Sequence, residues 1–349
     1  MNFFRKKSKK ETSYGLASPK LQVVLIIFTT AILFYLFSKP VLKFYPEDPF
    51  PAITVLTPKQ MASFGKSSSP VMVGMYIRSF PEFVVIKKRF VVDMKIWFKF
   101  DPKLISLDRI GKFTFDKAKI LSISEPSTKI EGDMLMAEYD ARIDFQAPLN
   151  FINFPLDDHQ INFALTNYSF LPSEVEFESS RKNFGISQEV EAYGWDFVGR
   201  SVKTGYHKGF IDPTEKSIRG FHPRAIFSLD CSRSGIRLII SMFLPLFFIF
   251  LIALFTFCMS SGISISVATV TGIIAHRFIM ENMSPKTSYF MLSDYVFIFL
   301  LMVCSIIFIV NIFGDRIAGC YKNILAVCMH AAVLFMFTYF LFYSLWSCF

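Results

Sequence analysis

Between Arg89 and Asp101 the chain alternates. Phe90, Val92, Met94, Ile96, Phe98 and Phe100 fall on one face, and Asp93, Lys95, Trp97 and Lys99 on the other. A period of two marks a half-buried β-strand. Val71–Ile77, Glu138–Phe145, Ile161–Phe170 and Ala225–Ser232 read the same way. Turn residues punctuate them, as at Gly132–Asp133 and Asp212–Pro213, and no long helical pattern intervenes. Many short strands without a β–α–β rhythm predict an antiparallel β-sandwich over residues 45–234. One turn is unusual. FPLDDHQ, Phe154–Gln160, sets a proline inside an alternating stretch and so breaks the strand. Phe154 and Leu156 flank Pro155, which predicts that the turn tip rests on something apolar.

Long apolar runs bracket this region. Leu21–Phe37 is seventeen residues without a charge, just long enough to span a bilayer. The sequence after it, SKPVLKFYP, has no small-residue cleavage site, so the run reads as an uncleaved anchor over residues 21–38. Four more runs follow in residues 235–349: Ile236–Phe257 with Pro245 inside, Ile263–Met280, Tyr295–Phe313 and Ile324–Trp346. They predict a four-helix transmembrane domain and five spans in all. Arg5, Lys6, Lys7, Lys9, Lys10 and Lys20 precede the anchor, with only Glu11 against them. By the positive-inside rule this tail, residues 1–20, is cytoplasmic. The sandwich and the C-terminus then lie outside. The loop carrying Arg316 and Lys322 falls on the cytoplasmic side, consistent with the same rule.

The second of the four runs differs. Ser260, Ser264, Ala268, Thr271, Ala275, Phe278 and Asn282 follow steps of four and three and share one helical face. A small, hydroxyl-bearing stripe either lets helices approach closely or lines a water path. Arg277 and Glu281 at its end favour a face turned to protein or water.

Composition agrees with a membrane protein. The 349 residues are 52% hydrophobic and 17% aromatic, with 43 phenylalanines, and the mean hydropathy is +0.42. The net charge of +9 gathers in the tail and reads as a topology signal, not as nucleic-acid binding. Of six cysteines only Cys231 lies outside the C-terminal third, so the β region is no disulfide scaffold. No P-loop, dinucleotide fingerprint, nucleophile elbow, zinc-protease motif or histidine ligand cluster occurs, and neither an enzyme nor a cofactor is expected.

A β-sandwich followed by four helices, the second polar, resembles the pentameric ligand-gated ion channels of the Cys-loop receptor superfamily. APLNFINFPLDDHQI is similar to the family's signature loop through Phe154, Pro155, Leu156 and Asp157. Ala147 and Ile161 stand in place of its two cysteines, as in the prokaryotic branch, which lacks the disulfide. Arg233 precedes Pro245 as the family's boundary arginine precedes its first-helix proline. Pro285, Lys286, Tyr289 and Asp294 resemble the linker between its second and third helices. Asp101, Lys103 and Leu104 resemble one of its strand motifs, with Lys99 for the tryptophan. The resemblance spans residues 45–349 and leaves out the leading anchor.

The resemblance implies a homopentamer in a lipid bilayer, either a cell or a bacterial inner membrane. It opens a pore for an inorganic ion in response to a small molecule or a proton, and the family branch points to cations. Counting back from Pro285 puts Ser260, Ser264, Ala268, Thr271, Ala275 and Phe278 on the pore, with Phe278 a constriction. Two other registers remain open, one of which makes Ile274 the mid-membrane ring. Phe154, Pro155, Leu156, Asp157, Arg233, Pro245, Pro285 and Lys286 would couple the sandwich to the pore, with Asp157 facing Arg233. Tyr168, Phe170, Tyr206, Phe210 and Phe221 are candidates for an agonist cage, where cation–π attraction favours an amine. Packing is the alternative role for each ring. The alternative function is a non-conducting membrane receptor or scaffold that keeps the fold.

Overall fold

The computed structural model describes residues 18–41, 46–57, 59–60, 64, 68–210, 219–234, 237–259, 262–313 and 319–346. The basic residues before Ser18, the turn at Asp212–Pro213, Ser260 and Arg316 lie outside them. The chain divides into two compact units, one mostly β and one helical.

The β unit holds two sheets. Its strands are β1 (Ser69–Val84), β2 (Arg89–Phe100), β3 (Phe113–Phe115), β4 (Ala118–Ile123), β5 (Ser127–Glu131), β6 (Met134–Gln146), β7 (His159–Asn167), β8 (Val175–Glu178), β9 (Phe184–Ile186), β10 (Trp195–Phe210) and β11 (Arg219–Arg233). The larger sheet runs β4-β6-β2-β1-β8, with β5 on β6 and β9 on β1; the smaller runs β10-β11-β7-β3. Alternation explains the core. The six apolar residues of one β2 face, Phe90 to Phe100, are each at most 1% exposed. Phenylalanines join the sheets: Phe145 of β6 meets Phe163 of β7 at 4.9 Å between ring centroids, and Phe184 of β9 meets Phe227 of β11 at 5.4 Å. The other β2 face is polar and paired across strands, as in Asp93 with Arg142 and Lys99 with Glu131.

The expectation of purely antiparallel sheets fails at one edge. β8 and β9 both run parallel to β1. They are only four and three residues long. Periodicity tells which face of a strand is buried but not its direction, which the connecting chain sets.

In the helical unit, α1 is Pro19–Val41, α2 Arg237–Phe255, α3 Gly262–Met283, α4 Leu292–Phe313 and α5 Gly319–Trp346. Among the described residues α2, α3 and α4 are long and apolar enough to cross a membrane. The apolar stretches of α1 and α5, Pro19–Leu33 and Asn323–Tyr339, are shorter. α3 packs against α2 and α4, and α1 against α5 and α2. Polar side chains make two of these contacts specific. Asn311 of α4 donates to Thr256 Oγ1 (2.8 Å) and Ser266 Oγ (2.6 Å). Between α1 and α5, both ring nitrogens of buried His330 are engaged, one by Gln22 (3.2 Å) and one by Thr29 (2.7 Å). The Gln22 side-chain amide also donates to Leu254 O of α2 at 2.8 Å.

One β1 glycine is fixed by its neighbour. Gly74 pairs with Trp97 across β1 and β2, and a Cβ there would sit 2.1 Å from the indole. Gly74→Ala is expected to cost about 1–3 kcal/mol through overpacking. A denaturant midpoint measures this, and a double-mutant cycle with Trp97→Ala should recover most of the cost.

Candidate functional site

Strand register assembles a buried charge cluster in the β unit. Cys231 of β11 is paired with His159 of β7, so two residues on Arg233 falls opposite Asp157. Their side chains meet: Arg233 Nη2 donates to Asp157 Oδ1 at 2.8 Å and to Oδ2 at 3.0 Å. β10 pairs Trp195 with Arg233, and the guanidinium lies 4.3 Å from the indole centroid. His159 contacts Asp157 through Nε2 (2.8 Å) and Asp48 through Nδ1 (3.0 Å). Asp48 also accepts the backbone N–H groups of Asn150 and Gln160, both at 2.7 Å. The His159 and Asp157 side chains are 1% and 2% exposed, and that of Asp48 is 2% exposed.

The geometry fixes the protonation. A carboxylate faces each His159 nitrogen, and a neutral imidazole has only one N–H to donate. The ring is therefore an imidazolium donating at both ends. Burial alone would lower its pKa; the hydrogen bonds to Asp157 and Asp48, with their charges, outweigh that and raise it to about 9. Burial likewise opposes the charge on Asp157. The His159 hydrogen bond and the Arg233 charge overcome it and hold the carboxyl below its usual range. The order Asp48, His159, Asp157, Arg233 alternates in sign and sums to zero, the arrangement that lets buried charges persist. Asp158 faces elsewhere and accepts from Ser232 Oγ at 2.8 Å.

A second cluster forms near the far ends of β10 and β11. His207 and His222 are directly opposed. Arg224 pairs with Thr166, so the same register sets Tyr168 beside His222. The Tyr168 ring meets His222 at 5.1 Å and His207 at 6.2 Å. Phe170 O is an acceptor, so His222 Nδ1 donates to it (3.0 Å). His222 Nε2 and His207 Nδ1 are buried without hydrogen-bond partners among the described residues. Tyr168 is 43% exposed above them.

The other ring candidates scatter. Phe170 is buried beneath the Arg109 guanidinium, 4.2 Å from its centroid. Tyr206, on the opposite face from His207, is buried, and that burial raises its pKa. Phe221 meets Phe64 edge-on at 6.4 Å. The Phe210 side chain lies outside the described residues.

In the helical unit, α3 has two distinct sides. Ser266, Thr269, Ile273, His276 and Met280 are buried, and His276 Nε2 donates to Met242 O of α2 at 2.9 Å. Ser264, Ala268, Thr271, Ala275 and Phe278 are exposed, Phe278 at 66%. Ile274 is exposed as well. Arg277 pairs with Asp294, whose other oxygen accepts Met291 N at 2.9 Å. Pro245 is inside α2; Pro285 is buried in the α3–α4 connection and Lys286 is exposed there.

Residues Ile152–Leu156 belong to the helical unit. Ile152 O accepts Leu292 N at 2.7 Å and Phe154 O accepts Ser293 N at 3.1 Å. Phe154 is fully buried, Pro155 is buried, and Leu156 is half-buried. The turn thus meets the start of α4 through its backbone carbonyls.

Asp48, His207 and His222 escaped the sequence reading. Asp48 lies 111 residues from His159 and no spacing marks it. The histidines could have been found from a hairpin register, but their strands join through a long connection. No protein-family model and no curated protein sequence matches the chain.

The charge cluster predicts a pH dependence. The His159 pKa is raised, so its contribution to stability is complete below about 6.5 and is lost as pH rises through about 9. Melting curves from pH 6.5 to 10 should show this decline, and His159→Gln should flatten it. Asp157→Asn should cost about 3–5 kcal/mol, because it removes the buried charge that His159 and Arg233 share.

Proposed function

We propose that the chain is the subunit of a homopentameric ion channel gated by a small molecule or a proton. The two sheets act as an immunoglobulin-like sandwich that senses the agonist outside the cell or in the periplasm. The four helices after it form the pore domain, with the N-terminus cytoplasmic. The observation that carries this reading is the exposed side of α3. Within one chain this helix packs on α2 and α4, yet leaves Ser264, Ala268, Thr271, Ala275 and Phe278 uncovered. Five copies facing an axis would turn that side into a lumen with hydroxyls at mid-depth and a phenylalanine ring toward one mouth. Cyclic closure needs heterologous contacts of this kind, and an apolar ring closes a pore by dewetting.

Coupling would run through the turn. Its carbonyls hold the start of α4, and Asp157, directly after it, holds Arg233, three residues before the helical unit resumes. A shift of β7 against β11 would thereby change the tension on both α2 and α4. Tyr168, above the opposed histidines, would mark the agonist region: a half-exposed ring with two unpartnered imidazole nitrogens beneath it suits a cation.

The alternative reading, a non-conducting receptor or scaffold, draws on α1. Its clasp on α5 gives the helical unit a partner helix outside the channel plan.

Purified full-length protein in planar bilayers tests the proposal. Single-channel currents evoked by acid or by amines are expected. A confirmed pentamer that stays silent across both series would overturn conduction. Phe278→Ala should raise the resting current several-fold; an unchanged leak would remove Phe278 from the pore.

A further inference from the structure

A cavity of about 370 Å³ opens where α3 ends and α4 begins, walled entirely by residues of this connection and its flanking turns. That volume suits a small ligand or a lipid headgroup. Arg277 and Asp294, both in its lining, neutralise each other. Two further charges line it, Glu281 and Lys286, both exposed. Among the described residues neither makes an ion pair or a side-chain hydrogen bond, with the other or with anything else. The cavity thus offers one anion and one cation that are not paired with each other. A simple anion meets Glu281 unfavourably and a simple cation meets Lys286 unfavourably; a dipolar ion satisfies both.

The position narrows the ligand. Glu281 is in the last turn of α3, two residues before its end, and α3 and α4 are both long enough to span. The rim is aromatic: Tyr289 lines the cavity, while Phe290, 60% exposed, meets Tyr295 at 5.8 Å. Exposed aromatic rings at span ends mark the headgroup layer. We infer that this cavity binds a phosphoethanolamine group, its ammonium on Glu281 and its phosphate on Lys286, supplied by a phosphatidylethanolamine headgroup or as the free compound.

The test uses the detergent-solubilised full chain. Binding of short-chain phosphatidylethanolamine, phosphatidylglycerol and phosphatidylcholine and of free phosphoethanolamine is measured by microscale thermophoresis, with native mass spectrometry to count bound molecules. Phosphatidylethanolamine should bind at least ~10-fold tighter than phosphatidylglycerol, which has no ammonium, and than phosphatidylcholine, which has no N–H to donate. Glu281→Lys and Lys286→Glu should each weaken it ~10-fold or more, and the double swap should restore it. Both sites are exposed, and an unchanged melting temperature shows that each variant is folded. Free phosphoethanolamine binding as tightly as the lipid would identify a soluble source; binding of the lipid alone would identify the bilayer. Equal affinity for all three lipids, preference for phosphatidylglycerol, or indifference to both substitutions would overturn the inference. None of these readouts depends on ion conduction.

Discussion

A helix begins with N–H groups that have no partner within it, and in apolar surroundings each must find one. At the start of α4 this requirement organises much of the helical unit. Leu292 and Ser293 donate to the carbonyls of Ile152 and Phe154, and the Asp294 carboxylate takes Met291 N. Those carbonyls come from a turn that interrupts the β unit, so five of its residues are drawn into the helices. Proline at 155 has no N–H to leave unsatisfied there, and the neighbouring Phe154 is buried completely. The apolar tip and the capping carbonyls are two aspects of one fit.

Directly after the tip, the chemistry changes from apolar contact to charge. Asp157 sits between His159 and Arg233, and Asp48 closes the far side of the imidazole. Such a cluster adds little net stability over an apolar core, because desolvation offsets most of the attraction. Its consequence is geometric. His159 and Arg233 share the Asp157 carboxylate, so the start of β7 and the end of β11 are joined by charge as well as by the strand ladder.

The sequence made the strands of β1, β2, β6, β7 and β11 visible, because alternation and burial share a cause. The resemblance of its signature turn and boundary arginine pointed to Asp157 with Arg233, and helical spacing pointed to the sides of α3, since that spacing decides what shares a face. The sequence could not reveal contacts set by register or by distant chain. Asp48 reaches His159 across 111 residues. His207 meets His222 only because of where the β10–β11 pairing starts. The parallel direction of β8 and β9 depends on how loops return to the β1 edge, and short segments carry no trace of it. Tyr206 and Phe170 look like Tyr168 in a list of aromatics; burial alone separates them.

The contact of α1 with α5 bears on how the molecule comes together. Gln22 and Thr29 reach His330 over 308 and 301 residues of chain. Closing so long a loop is only slightly more costly than closing one half as long, since the entropy grows with the logarithm of length. The His330 clasp therefore joins the first and the last of the described helices at little more entropic cost than a link half as long, and through the Leu254 carbonyl Gln22 ties that pair to α2.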